Sequence, residues 1–270
     1  MYVSGGDFVP APCAAGSIWR YRWDLAALRE TGEVVSKKAG TTRTGRGALR
    51  AVRIWDLPTR LFHWALAICV VGSFASGSIG GNAMEWHFRF GYVVFALIAF
   101  RLLWGFVGGR WSRFSAFVRG PTTVLRYLRG QSRSDEFHDV GHTPLGSASI
   151  VAMLLFLTLQ VGSGLFADDE ISNAGPLARL VAGSTSSTLT AYHANIGRWV
   201  ILALVVLHVG AIIFYRVRRQ RDLIGPMIRG DKLLPADVPA ANDSAALWLF
   251  AAVLFTACAA SVGFVVWMGG

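Results

Sequence analysis

The sequence predicts an all-α integral membrane protein, in which four transmembrane helices form a bundle and a fifth transmembrane helix follows at the C-terminal end. Hydrophobic residues make up 53% of the 270 residues and charged residues only 16%, whereas an average soluble domain has about 25% charged residues. The apolar residues lie in five blocks long enough to cross a bilayer, and basic residues concentrate in alternate connecting segments. These observations exclude a soluble globular domain.

Five segments have the roughly 20 mostly apolar residues that a spanning helix needs. The first and third begin at Pro58 and Pro144, which suits the first turn of a helix because the missing proline N–H would be unpaired there. A shorter segment, 121–129, alternates basic and apolar residues at helical spacing and predicts an interfacial helix. The predicted spans are 58–78, 86–107, 144–166, 192–215 and 245–268.

The basic residues predict the orientation of the spans. Ten of the 26 Lys and Arg residues lie in 1–60, seven in 101–146 and six in 216–244. Because cytoplasmic loops are enriched in Lys and Arg, we expect a cytoplasmic N-terminus and a C-terminus on the outer side. The same rule accounts for the net charge of +10, so this charge does not indicate nucleic-acid binding.

The chain is predicted to have three parts. Residues 1–51 mix Gly, Ala, Thr and Arg without sustained periodicity, and we expect a basic, mobile cytoplasmic arm. Residues 52–230 contain the first four spans, and 231–270 contain a linker and the fifth span. The three cysteines lie far apart and form no metal-binding or disulfide motif.

Four of the six histidines lie within or at the ends of spans, at two depths. His63 lies about 8 Å, and His208 about 10 Å, from the cytoplasmic ends of their helices. His87 and His193 open the second and fourth spans on the outer side. Each histidine alone is explained by an interfacial position or a hydrogen bond to a neighbouring helix, but two pairs at shared depths are what bis-histidine ligation of two stacked b-type haems requires.

Arginines near the two levels are candidates to bind haem propionates through charge-assisted hydrogen bonds. Arg60 lies near the cytoplasmic level, where an ordinary positive-inside anchor is the alternative, and Arg89 and Arg198 lie near the outer level. Three glycines close to the histidines in sequence would let a flat macrocycle approach the backbone: Gly91, Gly197 and Gly210.

Several motifs resemble the bacterial cytochrome b561 and nickel-hydrogenase b-type cytochrome family. They are VRIWDLPTRLFHW (52–64), WHFRFGYVVFALIAFRLLWG (86–105), GHTPLG (141–146) and the fourth span. The resemblance covers about residues 52–230 and implies a four-helix core with two b haems. It implies that His63 and His208 form the cytoplasmic-side ligand pair and that His87 and His193 form the periplasmic-side pair.

His142, in GHTPLG, also resembles a family position, although Thr143 stands where Asn is more usual. Its role stays open between a helix-start residue and a group near the inner haem or a quinone. The histidine His138 lies in the same loop.

The resulting hypothesis is a di-haem cytochrome of the bacterial inner membrane that transfers electrons between the two faces of the bilayer. The resemblance implies quinone or quinol at one face and, at the other, a hydrogenase or dehydrogenase subunit or a c-type cytochrome. The sequence leaves open whether the protein is an electron-transfer subunit or a quinone-linked oxidoreductase. A histidine-lined transporter for metal ions or protons and a non-redox membrane anchor are the alternatives.

Overall fold

The computed structural model describes residues 49–118, 120–129, 131, 140–235 and 237–269. Most of the predicted arm, 1–48, and His138 lie outside this range. The regular elements in chain order are β1 (Leu49–Arg53), α1 (Leu57–Ile79), α2 (Met84–Val107), α3 (Phe114–Phe117), α4 (Pro121–Leu128), α5 (Pro144–Leu165), α6 (Gly183–Ala191), a π-helical segment (Tyr192–Gly197), α7 (Arg198–Arg218), α8 (Ile224–Arg229), β2 (Asp231–Pro235) and α9 (Ala245–Gly269).

Five helices in the described part are long and apolar enough to cross a membrane, which confirms the prediction of a five-span helical membrane protein. Four of them agree with the predicted bounds to within two residues. The fourth is longer than predicted, because α6, the π-helical segment and α7 form one continuous span, Gly183–Arg218.

The start of α1 is fixed by a buried carboxylate. Asp56 is fully buried, and its side chain accepts a hydrogen bond from the backbone N of Thr59 at 2.8 Å, as an N-cap does. The same carboxylate accepts a hydrogen bond from Ser112 Oγ at 2.7 Å. This joins the start of α1 to the loop that follows α2.

A two-stranded antiparallel sheet, which the sequence analysis did not predict, joins the two ends of the four-helix part. β1 pairs with β2 from Leu49 opposite Pro235 to Arg53 opposite Asp231. Residues 49–51, predicted as part of the arm, therefore belong to a strand. The partners lie about 180 residues apart in sequence, and they can meet because four crossings return the chain to the side on which it started.

The spanning helices pack in a continuous series, α1 on α2, α2 on α5 and α5 on α7, while α9 packs mainly against α2. One apolar cluster in the bundle includes Val94 and Ile98 of α2 and Ile201 of α7. A second cluster joins Phe100 and Trp104 of α2 to α9. The fifth helix therefore lies beside the four-helix bundle.

Candidate functional site

Four histidines lie in two pairs within the bundle. The rings of His63 on α1 and His208 on α7 have centres 6.3 Å apart and planes inclined by 51°. The rings of His87 on α2 and His193 in the π-helical segment have centres 5.8 Å apart and planes inclined by 89°. We call His63 and His208 the inner pair, and His87 and His193 the outer pair. The structure thus brings together the two pairs that the sequence analysis matched by depth.

In the outer pair, one nitrogen of each ring is already hydrogen-bonded to the backbone. Nδ1 of His87 lies 2.9 Å from the carbonyl oxygen of Ser73, and Nδ1 of His193 lies 2.8 Å from the carbonyl oxygen of Gln160. A carbonyl only accepts, so these contacts place the proton on Nδ1 and leave the lone pair on Nε2. Histidines that bind a metal characteristically donate their other ring N–H in this way.

Gln160 holds His193 through a second contact. The Gln160 side-chain Nε2 donates to the backbone carbonyl of His193 at 3.0 Å. His193 lies in the π-helical segment Tyr192–Gly197, and π-helical turns occur frequently at functional sites. A β-carbon at Gly197 would overlap the Gln160 amide. Glycine at this position therefore lets Gln160 reach the segment.

Two further glycines provide the space in which the outer rings lie. A β-carbon at Gly77 of α1 would lie 2.7 Å from Nδ1 of His87, and one at Gly164 of α5 would lie 2.7 Å from Cε1 of His193. The sequence analysis missed both because it searched for glycines near each histidine on the same helix. These glycines are instead on the facing helices.

The glycines chosen from sequence have different surroundings. Gly91 lines a cavity beside the outer pair, and no described residue beyond the backbone of its own helix turn lies within 4 Å of the position that its β-carbon would occupy. Gly197 contacts Gln160 rather than open space. Gly210, two residues after His208, is exposed on α7.

The cavity beside the outer pair has a volume of about 530 Å³ and lies among α1, α2, α5 and α7. Its walls are mostly apolar, and its polar lining includes His87, His193 and Arg198. Cofactor sites are typically mostly apolar cavities of about 300–1,000 Å³ with a few well-placed polar groups. The size and lining therefore suit a large, flat and mainly apolar cofactor.

The three arginines proposed from sequence occupy different environments. Arg198 lines the cavity, and its Nε is buried with no hydrogen-bond partner in the described part of the chain. Arg89 is exposed and forms an ion pair with Glu85 one turn earlier. Arg60 donates from Nη1 to the Ile228 carbonyl at 2.8 Å, and its Nη2 lies 3.6 Å from Asp243.

A fourth arginine, Arg101, was missed by the sequence analysis, which counted it with the basic residues of the following loop. It lies within α2 and is only 4% exposed. Its guanidinium carbon lies 5.0 Å from the ring centre of Phe114 and 5.7 Å from that of Phe117. Its depth within the predicted span 86–107 was the signal that could have identified it, because a charge inside a span is costly.

His142, whose role the sequence left open, lies just before the start of α5. Its ring centre lies 4.6 Å from that of Trp55 and 5.0 Å from that of Phe117. Burial, together with the positive charge of Arg101, lowers the pKa of His142 to about 3. The ring is therefore neutral at pH 7, and its Nδ1 is buried without a hydrogen-bond partner in the described residues.

Each histidine pair suits an iron porphyrin better than a metal ion held by protein ligands alone. A structural zinc site takes four protein ligands, and the described residues contain no group of three or more His, Cys, Asp or Glu side chains that could hold a metal. Haem iron needs only two axial ligands from the protein, because the porphyrin supplies the others.

The separation of the rings supports the same cofactor. A metal–imidazole bond is about 2 Å long, so two imidazoles on one iron have ring centres about 6 Å apart once the half-width of each ring is added. Both pairs lie at this separation. The Nδ1 atom of His63 is buried and has no hydrogen-bond partner among the described residues. The residues present therefore fit haem at both levels.

Comparison with known proteins gives a consistent result. Residues 54–230 match the family described as prokaryotic cytochrome b561. A relative in Escherichia coli (strain K12), named "Probable Ni/Fe-hydrogenase 1 B-type cytochrome subunit", is 23% identical over 210 residues, which cover 66% of this chain and 88% of the relative.

Two other relatives are named "Probable Ni/Fe-hydrogenase B-type cytochrome subunit". The one from Bradyrhizobium diazoefficiens is 22% identical over 242 residues, covering 77% of this chain and 93% of the relative. The one from Azotobacter vinelandii is 25% identical over 223 residues, covering 70% and 91%. No solved structure matches the chain significantly.

Proposed function

The chain belongs to the prokaryotic cytochrome b561 family and is a multi-pass membrane protein that carries haem b and takes part in electron transfer, and from this premise we propose that it is a di-haem conduit for electrons across the bilayer. One haem would be ligated by His63 and His208 and the other by His87 and His193. The observation that carries the proposal is the occurrence of two histidine pairs, each with ring centres about 6 Å apart. Haem supplies one-electron Fe(III)/Fe(II) chemistry when bound.

The contribution of the chain is to orient the ligands and to exclude water. The carbonyl oxygens of Ser73 and Gln160 accept hydrogen bonds from Nδ1–H of the two outer histidines. These bonds fix the orientation of each ring and make its Nε2 more basic, and therefore a better ligand for a metal. The mostly apolar walls of the cavity offer few hydrogen-bond partners to water. His63 and His208 would hold one iron and His87 and His193 the other, so neither site would leave a position for a substrate on the iron.

The propionates of the outer haem would be held by Arg198, whose buried Nε faces no other partner in the described residues. Arg89 and Arg60 are further candidates for the outer and inner haem. Arg198 is favoured over Arg89 because it lines the cavity, whereas Arg89 is paired with Glu85.

We place the N-terminus in the cytoplasm and the C-terminus in the periplasm of a bacterial inner membrane. Of the 26 basic residues, 23 lie in segments on the side assigned to the cytoplasm, as the positive-inside rule requires. The pairing of β1 with β2 supports an even number of crossings between them. Five spans then leave the two termini on opposite sides.

The proposed partners are quinone or quinol at one face and a redox protein at the other. The names of the relatives point to a Ni/Fe-hydrogenase as that protein, while a dehydrogenase subunit or a c-type cytochrome would satisfy the same chemistry. Co-purification with a tagged Ni/Fe-hydrogenase of the source organism, followed by haem reduction under hydrogen, tests the first possibility. A hydrogenase that neither binds the cytochrome nor reduces its haem would exclude it.

The main test is a reduced-minus-oxidised absorbance spectrum of the purified protein. We expect b-type bands and about two haems per chain. A colourless protein from cells with ample haem would reject the proposal and favour the transporter or the anchor. A transporter for metal ions or protons is expected to have carboxylates along its path through the membrane. In the five spans of the described chain the only Asp or Glu is Glu85, at the outer end of α2, so the transporter is not supported.

The pairing is tested by replacing each histidine separately. His63→Ala and His208→Ala should each remove the same haem, and His87→Ala and His193→Ala should each remove the other. The two haems are distinguished by their midpoint potentials in a potentiometric titration. His138→Ala, at a histidine of the loop between the second and third predicted spans, is the matched control, and it should leave the haem count at two. Loss of both haems from a correctly inserted single variant would contradict the pairing.

A further inference from the structure

Arg101 is a buried charged side chain that forms no direct ion pair within the described residues, and the charge of Asp56 attracts it without direct contact. It is 4% exposed, and its Nη1 has no hydrogen-bond partner in the described part of the chain. The buried carboxylate at this end of the bundle, Asp56, already accepts hydrogen bonds from the N of Thr59 and the Oγ of Ser112. A buried guanidinium that lacks a direct partner is destabilised, so a further group that accepts hydrogen bonds is expected beside Nη1.

Arg101 lies on the face of α2 that carries His87. The two residues are 14 positions apart, which corresponds to a rise of about 21 Å and a rotation only about 40° from alignment. Val94 and Ile98, which lie between them on this face, are buried in the bundle. Since His193 and His208 are separated by a similar rise of about 22 Å, Arg101 lies at the level of the inner pair.

His142 and Arg101 meet at the same aromatic ring. The guanidinium carbon of Arg101 lies 5.7 Å from the ring centre of Phe117, and the ring centre of His142 lies 5.0 Å from that of Phe117. Both side chains carry a buried nitrogen without a partner in the described residues, Nη1 of Arg101 and Nδ1 of His142. Two unsatisfied nitrogens in one place indicate a ligand that accepts hydrogen bonds.

We propose that Arg101 and His142 bind a propionate carboxylate of the haem held by His63 and His208. This inference rests on the proposed function, and it assigns the inner haem a carboxylate site. A guanidinium binds carboxylates through a two-pronged fork, and a neutral imidazole donates one further hydrogen bond. A lipid headgroup is a poorer candidate, because Arg101 is only 4% exposed.

The first experiment is a potentiometric titration of the full-length protein in nanodiscs. Arg101→Gln should lower the midpoint potential of the inner haem, because removing the positive charge leaves the propionate to stabilise Fe(III). The potential of the outer haem should be unchanged. Arg101→Lys, which keeps the charge but loses the fork, should give a smaller shift. The control is Arg110→Gln, at an exposed arginine just beyond the end of α2, and it should shift neither haem.

The second experiment removes the carboxylates instead of the arginine. Full-length protein loaded with haem is compared with protein loaded with haem dimethyl ester, and the rate at which apomyoglobin extracts the inner haem is measured. In the wild type the ester should leave about tenfold faster or more, as expected for loss of a charge-assisted hydrogen bond. In Arg101→Gln the ratio of the two rates should be several-fold smaller than in the wild type, because the contribution of the guanidinium has already been removed while that of His142 remains.

The outcomes separate this inference from the proposed function. Wild-type protein that retains fewer than two haems would reject the proposed function itself. Two retained haems with no effect of esterification would overturn the carboxylate site alone, and this arm needs no variant to fold. An effect of Arg101→Gln that requires phosphatidylglycerol in the nanodisc, with no effect of esterification, would also overturn it, in favour of a lipid headgroup.

Discussion

At the scale of single residues, the space around a histidine ring is as important as the ring itself. A methyl group at Gly164 would lie 2.7 Å from Cε1 of His193, and that ring cannot move freely because its Nδ1 is bound to the Gln160 carbonyl. Gly164→Ala should therefore reduce the haem content from about two to about one per chain. Gly162→Ala, on the same helix with no atom within 4 Å of its β-carbon position, should retain two haems. Equal haem content in the two variants, measured as pyridine haemochrome, would contradict this reading.

Gln160 is expected to set the orientation of the His193 ring. Gln160→Leu removes the hydrogen bond to the His193 carbonyl but keeps the backbone carbonyl that binds Nδ1. We expect the EPR g values of the outer haem to shift, because they depend on the angle between the two imidazole planes, while the inner haem signal stays unchanged. Leu159→Ala, at a neighbouring exposed position on α5, is the control. Identical spectra for wild type and Gln160→Leu would show that the Gln160 amide does not set the orientation of the His193 ring.

The two histidine pairs could be predicted from the sequence, but the residues that position their rings could not. Histidine inside an apolar span is a strong signal by residue type, and depth follows directly from the helical rise. Gly77, Gly164 and Gln160 act across helix–helix contacts, and which positions face each other depends on the packing of α1, α2, α5 and α7. The depth of Arg101 in the second predicted span could have identified it, but the count of basic residues included it in the segment 101–146 as a loop residue.

At the scale of secondary structure, the hydrogen-bond network at the start of α1 is the clearest determinant of stability. Asp56→Ala removes the N-cap of α1 and leaves Ser112 and Thr59 with fewer partners. The combined cost is on the order of 3 kcal/mol. Thermal unfolding in detergent should show a lower Tm for Asp56→Ala than for Asp231→Ala, which removes only a surface ion pair with Arg53. Equal Tm values for the two variants would argue against a structural role of the network.

The helices were predictable from sequence because length and hydropathy are local properties, and the membrane selects strongly for both. The π-helical segment and the β1–β2 sheet were not. A π turn depends on contacts such as the one from Gln160, and the sheet pairs segments brought together by four intervening spans. Both features depend on tertiary structure, which leaves little trace in the local pattern of residues.

At the scale of the whole molecule, the four-helix part and α9 have different relations to the histidine pairs. The cavity beside the outer pair is lined by α1, α2, α5, α7 and the adjoining segments, and no residue of α9 is among its lining residues. α9 instead contributes Ala251 and Cys258 to the apolar cluster that contains Phe100 and Trp104 of α2. Asp243, which precedes α9, accepts a hydrogen bond from the backbone N of Leu57 at 2.8 Å and thereby supports the start of α1.

This division predicts the effect of removing the fifth helix. A chain that ends after Ser244 keeps Asp243 and loses only α9, so we expect it to insert in the membrane and to retain about two haems with unchanged midpoint potentials. Its Tm should fall, because Phe100 and Trp104 lose their packing against Phe255 and Phe250. The fall should be moderate, since lipid replaces the lost apolar contacts and helix association in a bilayer depends on packing rather than on the hydrophobic effect.

A second chain ending after Ala241, which also removes Asp243, should be less stable than the first, because Leu57 N and Arg60 then lose the carboxylate. Haem content, potentiometric titration and thermal unfolding of the two truncated proteins provide the measurement. Loss of either haem from the longer truncation would show that α9 is part of the electron-transfer core and not an addition to it.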